Sequence, residues 1–427
     1  MKTAAIIAEY NPFHKGHAYH IEKTRQETDA DYIVAIMSGD FVQRGAPAFM
    51  DKYDRARAAL LSGCDLVMEL PVIYSSSSAE FFASGAVALL TRLGVCDFLS
   101  FVSEEGRLDQ LSFLADLLVS EPEEYRLLLK EQLKKGLSYP KAREIALSIY
   151  CKSKDFCQFS NEFWDCLKQS NNILALEYLK ALKKQKSPMT PITISRKNTS
   201  YHDKNLYDGI SSATAIRHFF LEQEDLSPLN NCVPESTYAA IKKCRANHCF
   251  LDVDDLTPYL HSTLLHSLPK GTIWDLNQEL ENRLSRLSWA TLTFSEIADQ
   301  LKSRQITGTR ISRGLLHLIL NLSESFFMEQ YERNPAPYLR VLGFCKESQP
   351  LLKAIKANSQ IPVITKPAQG KTRIPSLDYP VFEMDLRAGR LYQSMIFQKS
   401  GCRLPDPLSR SPLVIKKDSV INKDVAR

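Results

Sequence analysis

Short apolar runs separated by helix-length stretches fill the first hundred residues, and this alternation leaves very few architectures open. Thr3–Ala8 is apolar almost throughout, as a strand buried on both faces must be. Similar runs recur at 32–37, 66–70 and 98–101, with helical stretches at about 17–28, 51–62 and 78–93 between them. Parallel neighbours need crossover helices, so the pattern predicts an α/β fold with a doubly wound parallel sheet. Residues 107–186 are rich in Leu, Lys and Glu and read as a helical insertion, followed by a strand at 192–195 and a helix at 211–221. The sheet domain with its insertion is therefore expected to cover 1–225. A mainly helical region is expected over 226–369, with helices at 235–243, 276–288, 294–300 and 311–322. The stretch 370–427, richer in proline and basic residues, is expected to be an irregular C-terminal segment. Two or three domains suit 427 residues, more than one core usually serves.

The chemistry-bearing signal follows the first strand directly. Glu9-Tyr10-Asn11-Pro12-Phe13-His14-Lys15-Gly16-His17 contains His14-x-Gly16-His17 at a strand-to-helix turn. Ligands of open parallel sheets bind beyond the carboxyl ends of strands. A helix N-terminus there offers unpaired N–H groups and a positive dipole end, both suited to phosphate. Gly16 lets the backbone approach a ligand, and two imidazoles can donate to a phosphate whose charge is being redistributed. The pattern points to attack on the α-phosphate of a nucleotide with pyrophosphate leaving. A second signal is Gly209-Ile210-Ser211-Ser212-Ala213-Thr214-Ala215-Ile216-Arg217. Hydroxyls opening a helix, with Arg217 one turn on, can hold the outgoing phosphates.

Other features exclude more than they assign. Ten cysteines include no CxxC pair, so neither a zinc ribbon nor a redox dithiol is indicated. No apolar run reaches membrane-spanning length and no signal-peptide pattern opens the chain, so a cytoplasmic protein with no membrane partner is expected. The net charge of +5 permits an anionic partner. Basic clusters at Lys302, Arg304, Arg310 and Arg313, at Lys180, Lys183, Lys184 and Lys186, and at Arg403, Arg410, Lys416 and Lys417 are consistent with RNA phosphate contacts.

Several blocks in order resemble the bacterial tRNA(Met) cytidine acetate ligase family. They are the stretch 8–20, Met37-Ser38-Gly39-Asp40-Phe41-Val42-Gln43-Arg44-Gly45, Asp65 to Pro71, Ser78 to Ala83, Asn171-Asn172-Ile173-Leu174, Tyr201-His202-Asp203 and 210–217. In the C-terminal part they continue with Glu281-Asn282-Arg283, Thr309-Arg310-Ile311 and 339–344. The resemblance implies a Rossmann-like, HIGH-type nucleotidyltransferase domain and a definite reaction. ATP, with Mg2+ expected, and acetate would give acetyl-adenylate. The acetyl group would then pass to the wobble cytidine of elongator tRNA(Met), making N4-acetylcytidine. The implied catalytic residues are His14, His17, Ser212 and Arg217. ATP contacts are implied at Ile7, Ala8, Glu9, Tyr10, Asn11, Pro12, Phe13, His14, Lys15, Gly16, His17, Ala18, Tyr19 and His20. Further contacts are implied at one or both of Asn171 and Asn172, at Arg196, and at position 102. There the family usually carries glycine in Phe-Gly-Ser-Glu, and this chain carries Val102, a branched side chain where the nucleotide passes. No protein metal ligand is indicated. Two other readings remain open: an adenylyltransferase acting on a small nucleotide, which needs little more than the sheet domain, and a non-catalytic nucleotide- or RNA-binding protein.

Overall fold

A computed structural model describes residues 1–154, 169–195, 211–266 and 272–416. The strands are β1 Thr3–Ala8, β2 Tyr32–Ser38, β3 Phe41–Val42, β4 Ala46–Pro47, β5 Leu66–Leu70, β6 Phe98–Ser103, β7 Thr190–Ser195, β8 Leu339–Cys345, β9 Val363–Ile364 and β10 Leu413–Ile415. Seven helices matter here: α1 Lys15–Thr28, α2 Lys52–Leu61, α3 Ala79–Leu93, α4 Ser170–Lys184, α5 Ala213–Glu222, α6 Gly308–Leu320 and α7 Tyr379–Ser400. The stretch 107–186 carries further helices at Leu108–Ser120, Glu123–Lys134 and Tyr139–Ser153 before α4.

The main sheet runs β10-β8-β5-β2-β1-β6-β7, with β9 on β8. From β5 to β7 all neighbours are parallel. Successive strand residues face opposite sides. Ala4 and Ile6 pack in the layer that holds Ile21 of α1 and Ala56 and Leu60 of α2. Ala5 packs in the layer that holds Ala83 and Val87 of α3 and Leu179 of α4. Both faces are thus covered, which is why the strands read as continuous apolar runs. From β1 the chain moves to β2 on one side, whereas β6 lies on the other. The carboxyl ends of β1 and β6 therefore flank a topological switch point, where such sheets open a crevice.

The stretch 226–369 is mainly helical, and it also carries β8, which joins the main sheet antiparallel to β5 and brings part of that stretch into the sheet that holds the HxGH turn. One expectation is corrected. The stretch 370–427 is not irregular over its described part. α7 spans 22 residues and buries Val381, Phe382, Leu386, Tyr392, Met395 and Ile396, and β10 pairs with β8. Pro380 is tolerated because it lies in the first turn, and Gly401 closes the helix at φ 72°. Exposed polar and basic residues between the apolar positions of α7 mask its period.

Polar groups are locked into this interior. Asp51 caps α2, its Oδ1 accepting from the Tyr53 N–H at 2.8 Å. The next residue, Lys52, is buried and donates to Asp40 at 2.8 Å and Glu69 at 2.6 Å. Arg340 of β8 lies 3.6 Å from Glu69. Burial alone would depress the Lys52 ammonium, but Asp40 and Glu69 override it and hold its pKa above the ordinary value. In α6, His317 Nδ1 donates to the Trp274 carbonyl at 3.0 Å and Nε2 lies 3.1 Å from the Ser76 hydroxyl. Burial lowers its pKa from 6.5 to about 4. An unfolded chain therefore binds this proton first as pH falls. Stability is complete above the unfolded value of 6.5 and is lost between 6.5 and about 4, by roughly 3 kcal/mol. In His317→Gln the slope of unfolding free energy against pH should flatten across that window; an unchanged slope in denaturant titrations would remove His317 as its source.

Candidate active site

β1 ends at Ala8 and the chain turns sharply, with Tyr10 in the left-handed region at φ 49°. Tyr10 and Phe13 are buried and pack edge-on at 4.8 Å. Both rings lie against His17, at 4.9 and 5.4 Å, forming an apolar wedge under the turn. His14 is the N-cap of α1: its Nδ1 accepts from the Gly16 N–H at 3.1 Å. His17 reaches back, its Nδ1 accepting from the His14 N–H at 3.2 Å. The arrangement is a capping box built from imidazoles. The two rings stack with centroids 3.7 Å apart. Because both Nδ1 atoms accept from backbone N–H groups, the proton of each neutral ring sits on Nε2. The fold thus selects the tautomer that makes Nε2 a donor.

Both histidines line a cleft of about 640 Å³ at the switch point, within the range of small-ligand sites. Ile7, Ala8, Glu9, Tyr10, Asn11, Gly16, Tyr19 and His20 line it as well. Four residues expected as contacts do not: Pro12 and Phe13 are buried beneath the turn, Lys15 is exposed, and Ala18 packs against the core. His20 is a support, its Nε2 sharing a 2.9 Å hydrogen bond with Ser100 and its pKa lowered to about 4 by burial. Ser212 caps α5, accepting from the Ala215 N–H at 3.0 Å, and lines the cleft with Ser211 and Ala213. Arg217 also lines it and donates to the Asn11 carbonyl and, at 3.4 Å, to Thr214. It therefore ties the α5 wall to the HxGH turn.

The two asparagines separate. Asn171 lines the cleft and donates to the Glu104 carboxylate at 2.9 Å. Asn172 is buried and accepts from the Glu104 N–H at 3.0 Å. Arg196, Tyr201, His202, Asp203, Gly209, Ile210 and Lys417 lie outside the described residues. Val102, half-buried and paired with Ile194 of β7, forms part of the wall. Val102→Gly should tighten ATP binding about fivefold, the equivalent of relieving about 1 kcal/mol of crowding. An unchanged dissociation constant in equilibrium titration would show that the valine does not meet the nucleotide.

Other wall residues carried no motif of their own. Gln43 and Arg44 project from the β3–β4 hairpin, Asp252 from the segment before Val253, and Thr309 from the first turn of α6. Neither a period nor a residue type marks them; only the place of Gln43, Arg44 and Thr309 in the blocks 37–45 and 309–311 hinted at a role, and nothing singled out Asp252. Among the basic clusters, many charges are already matched. Lys180 pairs with Glu177 at 2.6 Å, Lys183 with Asp116 at 2.6 Å, Arg313 with Asp275 at 2.7 Å and Arg410 with Asp51. Carboxylates neutralise them, most from far away in sequence and Glu177 from one turn away, so they are not a bare cationic surface.

Comparison with known proteins agrees with this geometry. The HIGH Nucleotidyl Transferase family matches residues 1–403. A tRNA(Met) cytidine acetate ligase of Caldanaerobacter subterraneus subsp. tengcongensis is 41% identical over 393 residues, covering 92% of this chain and 95% of its own. That of Clostridium kluyveri is 39% identical over 419 residues, covering 98% and 100%. TmcAL of Thermotoga maritima superposes with a TM-score of 0.89 at 30% identity, covering 97% of this chain and 100% of its own. A second crystal form of that protein, bound with alpha-thio ATP, superposes at 0.87. With an HxGH turn at the switch point, and relatives that span nearly its whole length, the chain belongs to the tRNA(Met) cytidine acetate ligase family of HIGH nucleotidyltransferases.

Proposed function

We propose that the cleft activates acetate with ATP and passes the acetyl group to the wobble cytidine of elongator tRNA(Met). The observation that carries this reading is the pair of imidazoles fixed as Nε2 donors at the N-terminus of α1, inside a nucleotide-sized cleft. The triphosphate lies against that N-terminus, where the helix dipole favours negative charge; the N–H groups of Lys15, Gly16 and His17 are already held by Cys232 and His14. An acetate oxygen attacks the α-phosphorus, and the bond to the β-phosphate oxygen breaks. The products are acetyl-adenylate, a mixed anhydride, and pyrophosphate. His14 and His17 donate to the phosphate oxygens as charge shifts toward the leaving group. Ser212 and the α5 N-terminus, with Arg217, receive the pyrophosphate. The cytidine exocyclic amine then attacks the acetyl carbonyl, AMP leaves with the bonding electrons, and the amine loses a proton.

Magnesium would be held largely by phosphate oxygens and water, as its coordination habit favours. Among the described residues no cluster of three metal-ligating side chains occurs. Glu9 and Asp252 are the Asp and Glu side chains among the described residues lining the cleft; Asp252 is held by the Asp254 N–H and Lys399, so Glu9 is the one that would supply a single protein ligand. No described helix is long and apolar enough to cross a membrane, and we place the activity in the cytoplasm, where ATP and tRNA meet. The test is ATP–pyrophosphate exchange without RNA. Exchange that requires acetate supports the first half-reaction; exchange indifferent to acetate, or driven by a mononucleotide acceptor, rejects it.

A further inference from the structure

Among the described residues lining the cleft, two carry a permanent positive charge, Arg44 and Arg217. Arg217 serves the HxGH wall through its bonds to Asn11 and Thr214. Arg44 sits elsewhere, at the tip of the β3–β4 hairpin, and that tip is pinned from several sides. Phe41 pairs with Pro47 and Val42 with Ala46. The Gly45 N–H donates to the Val42 carbonyl at 2.9 Å and closes the turn. Gly45 has φ +72°, and a Cβ there would lie 2.4 Å from the Arg313 backbone nitrogen. The hairpin is therefore seated on α6 so closely that only glycine fits. On its other side the Gln43 N–H donates to Glu9 Oε1 at 2.9 Å, which fixes the tip relative to the end of β1. A two-residue ladder is marginal in isolation; here packing holds it and presents Arg44 to the cleft.

The proposed reaction brings a carboxylate up to a polyanionic triphosphate. Neutral imidazoles can donate to it but cannot cancel its charge. A guanidinium can do both, because its planar fork matches a carboxylate in two parallel hydrogen bonds. The same hairpin lines the cleft with Val42, Ala46 and Pro47, an apolar surface against which a methyl group can rest. We propose that Arg44 binds the acetate carboxylate and holds it against the α-phosphate, with the methyl group on the Val42–Pro47 hairpin. This rests on the ligase reading above and adds the position of the second substrate.

The test uses the full chain, with ATP–pyrophosphate exchange measured against acetate concentration and ATP affinity measured separately without acetate. In Arg44→Gln the KM for acetate should rise about 10- to 100-fold, as losing a charge-assisted bidentate contact implies, while ATP affinity stays within about twofold. Arg44→Lys keeps the charge but loses the fork, so its KM should lie between; it also serves if the glutamine variant folds poorly. An acetate KM unchanged in the variants overturns the proposal. So does a loss of ATP affinity as large as the loss for acetate, which would make Arg44 a phosphate contact. A defect confined to tRNA transfer also overturns it. If the wild-type protein shows no acetate-dependent exchange, the ligase reading fails first and the proposal falls with it.

Discussion

Replacing His17 by glutamine should leave the protein folded and slow acetyl-adenylate formation by about 10²- to 10³-fold, the usual loss when one well-aimed donor to a transition state is removed. Glutamine is chosen because His17 has two roles. Its Nδ1 accepts from the His14 N–H in a reciprocal capping box, and glutamine at that helical position can make the same backbone contact. The substitution therefore retains the cap and replaces the imidazole Nε2–H by an amide N–H of different reach and direction, so the aimed donor is lost. The matching change at the other histidine is His14→Asn, since asparagine is among the best N-cap residues. Alanine at either position confounds the two roles, because losing a cap costs about 1 kcal/mol. The double variant should be little worse than the worse single one if the stacked rings act as a unit. Near wild-type exchange rates in both cap-preserving variants, with unchanged melting, would reduce the two imidazoles to capping groups.

In Lys52→Met, about 3–5 kcal/mol of folding stability should be lost, because removing one partner of a buried ion pair strands the other. Asp40 would be stranded here and Glu69 left with Arg340 at 3.6 Å as its remaining ion-pair partner, since both carboxylates accept from the Lys52 ammonium and each is about 5% exposed. Methionine keeps the length of the side chain, so the loss reports charge rather than volume. A second arm separates the causes. Adding Asp40→Asn removes the stranded charge, while Glu69 stays in place opposite Arg340, and should recover a large part of the loss. The single variant should also regain relative stability as pH falls and the carboxylates protonate. Equal denaturation midpoints for wild type and Lys52→Met would show that the network is energetically idle.

The parts of this molecule that the sequence announces are those specified locally. β1, β2, β5 and β6 are runs of apolar residues because helices cover both of their faces, and HxGH is contiguous because one turn supplies both imidazoles. Ser212 was legible for the same reason, as a hydroxyl opening an amphipathic helix. What long-range contact decides was not. Nothing in Leu339–Cys345 states that it will lie antiparallel to β5. The period of α7 is interrupted by charged residues such as Arg387, which reaches the Leu320 carbonyl at 2.9 Å. The basic clusters looked unmatched because their acids, such as Asp51 for Arg410 and Asp116 for Lys183, lie far away in sequence. Arg44 gains significance only once Gly45 seats its hairpin on α6.

Mass analysis of nucleosides from tRNA(Met), after incubation with ATP and isotope-labelled acetate, tests the central claim most directly. The expected result is label on the wobble cytidine as N4-acetylcytidine, dependent on ATP and appearing about 10²- to 10³-fold more slowly in the His14→Asn, His17→Gln double variant. Label appearing equally in that variant, or unlabelled cytidine with the wild-type protein, would contradict the assignment of this cleft to acetate activation.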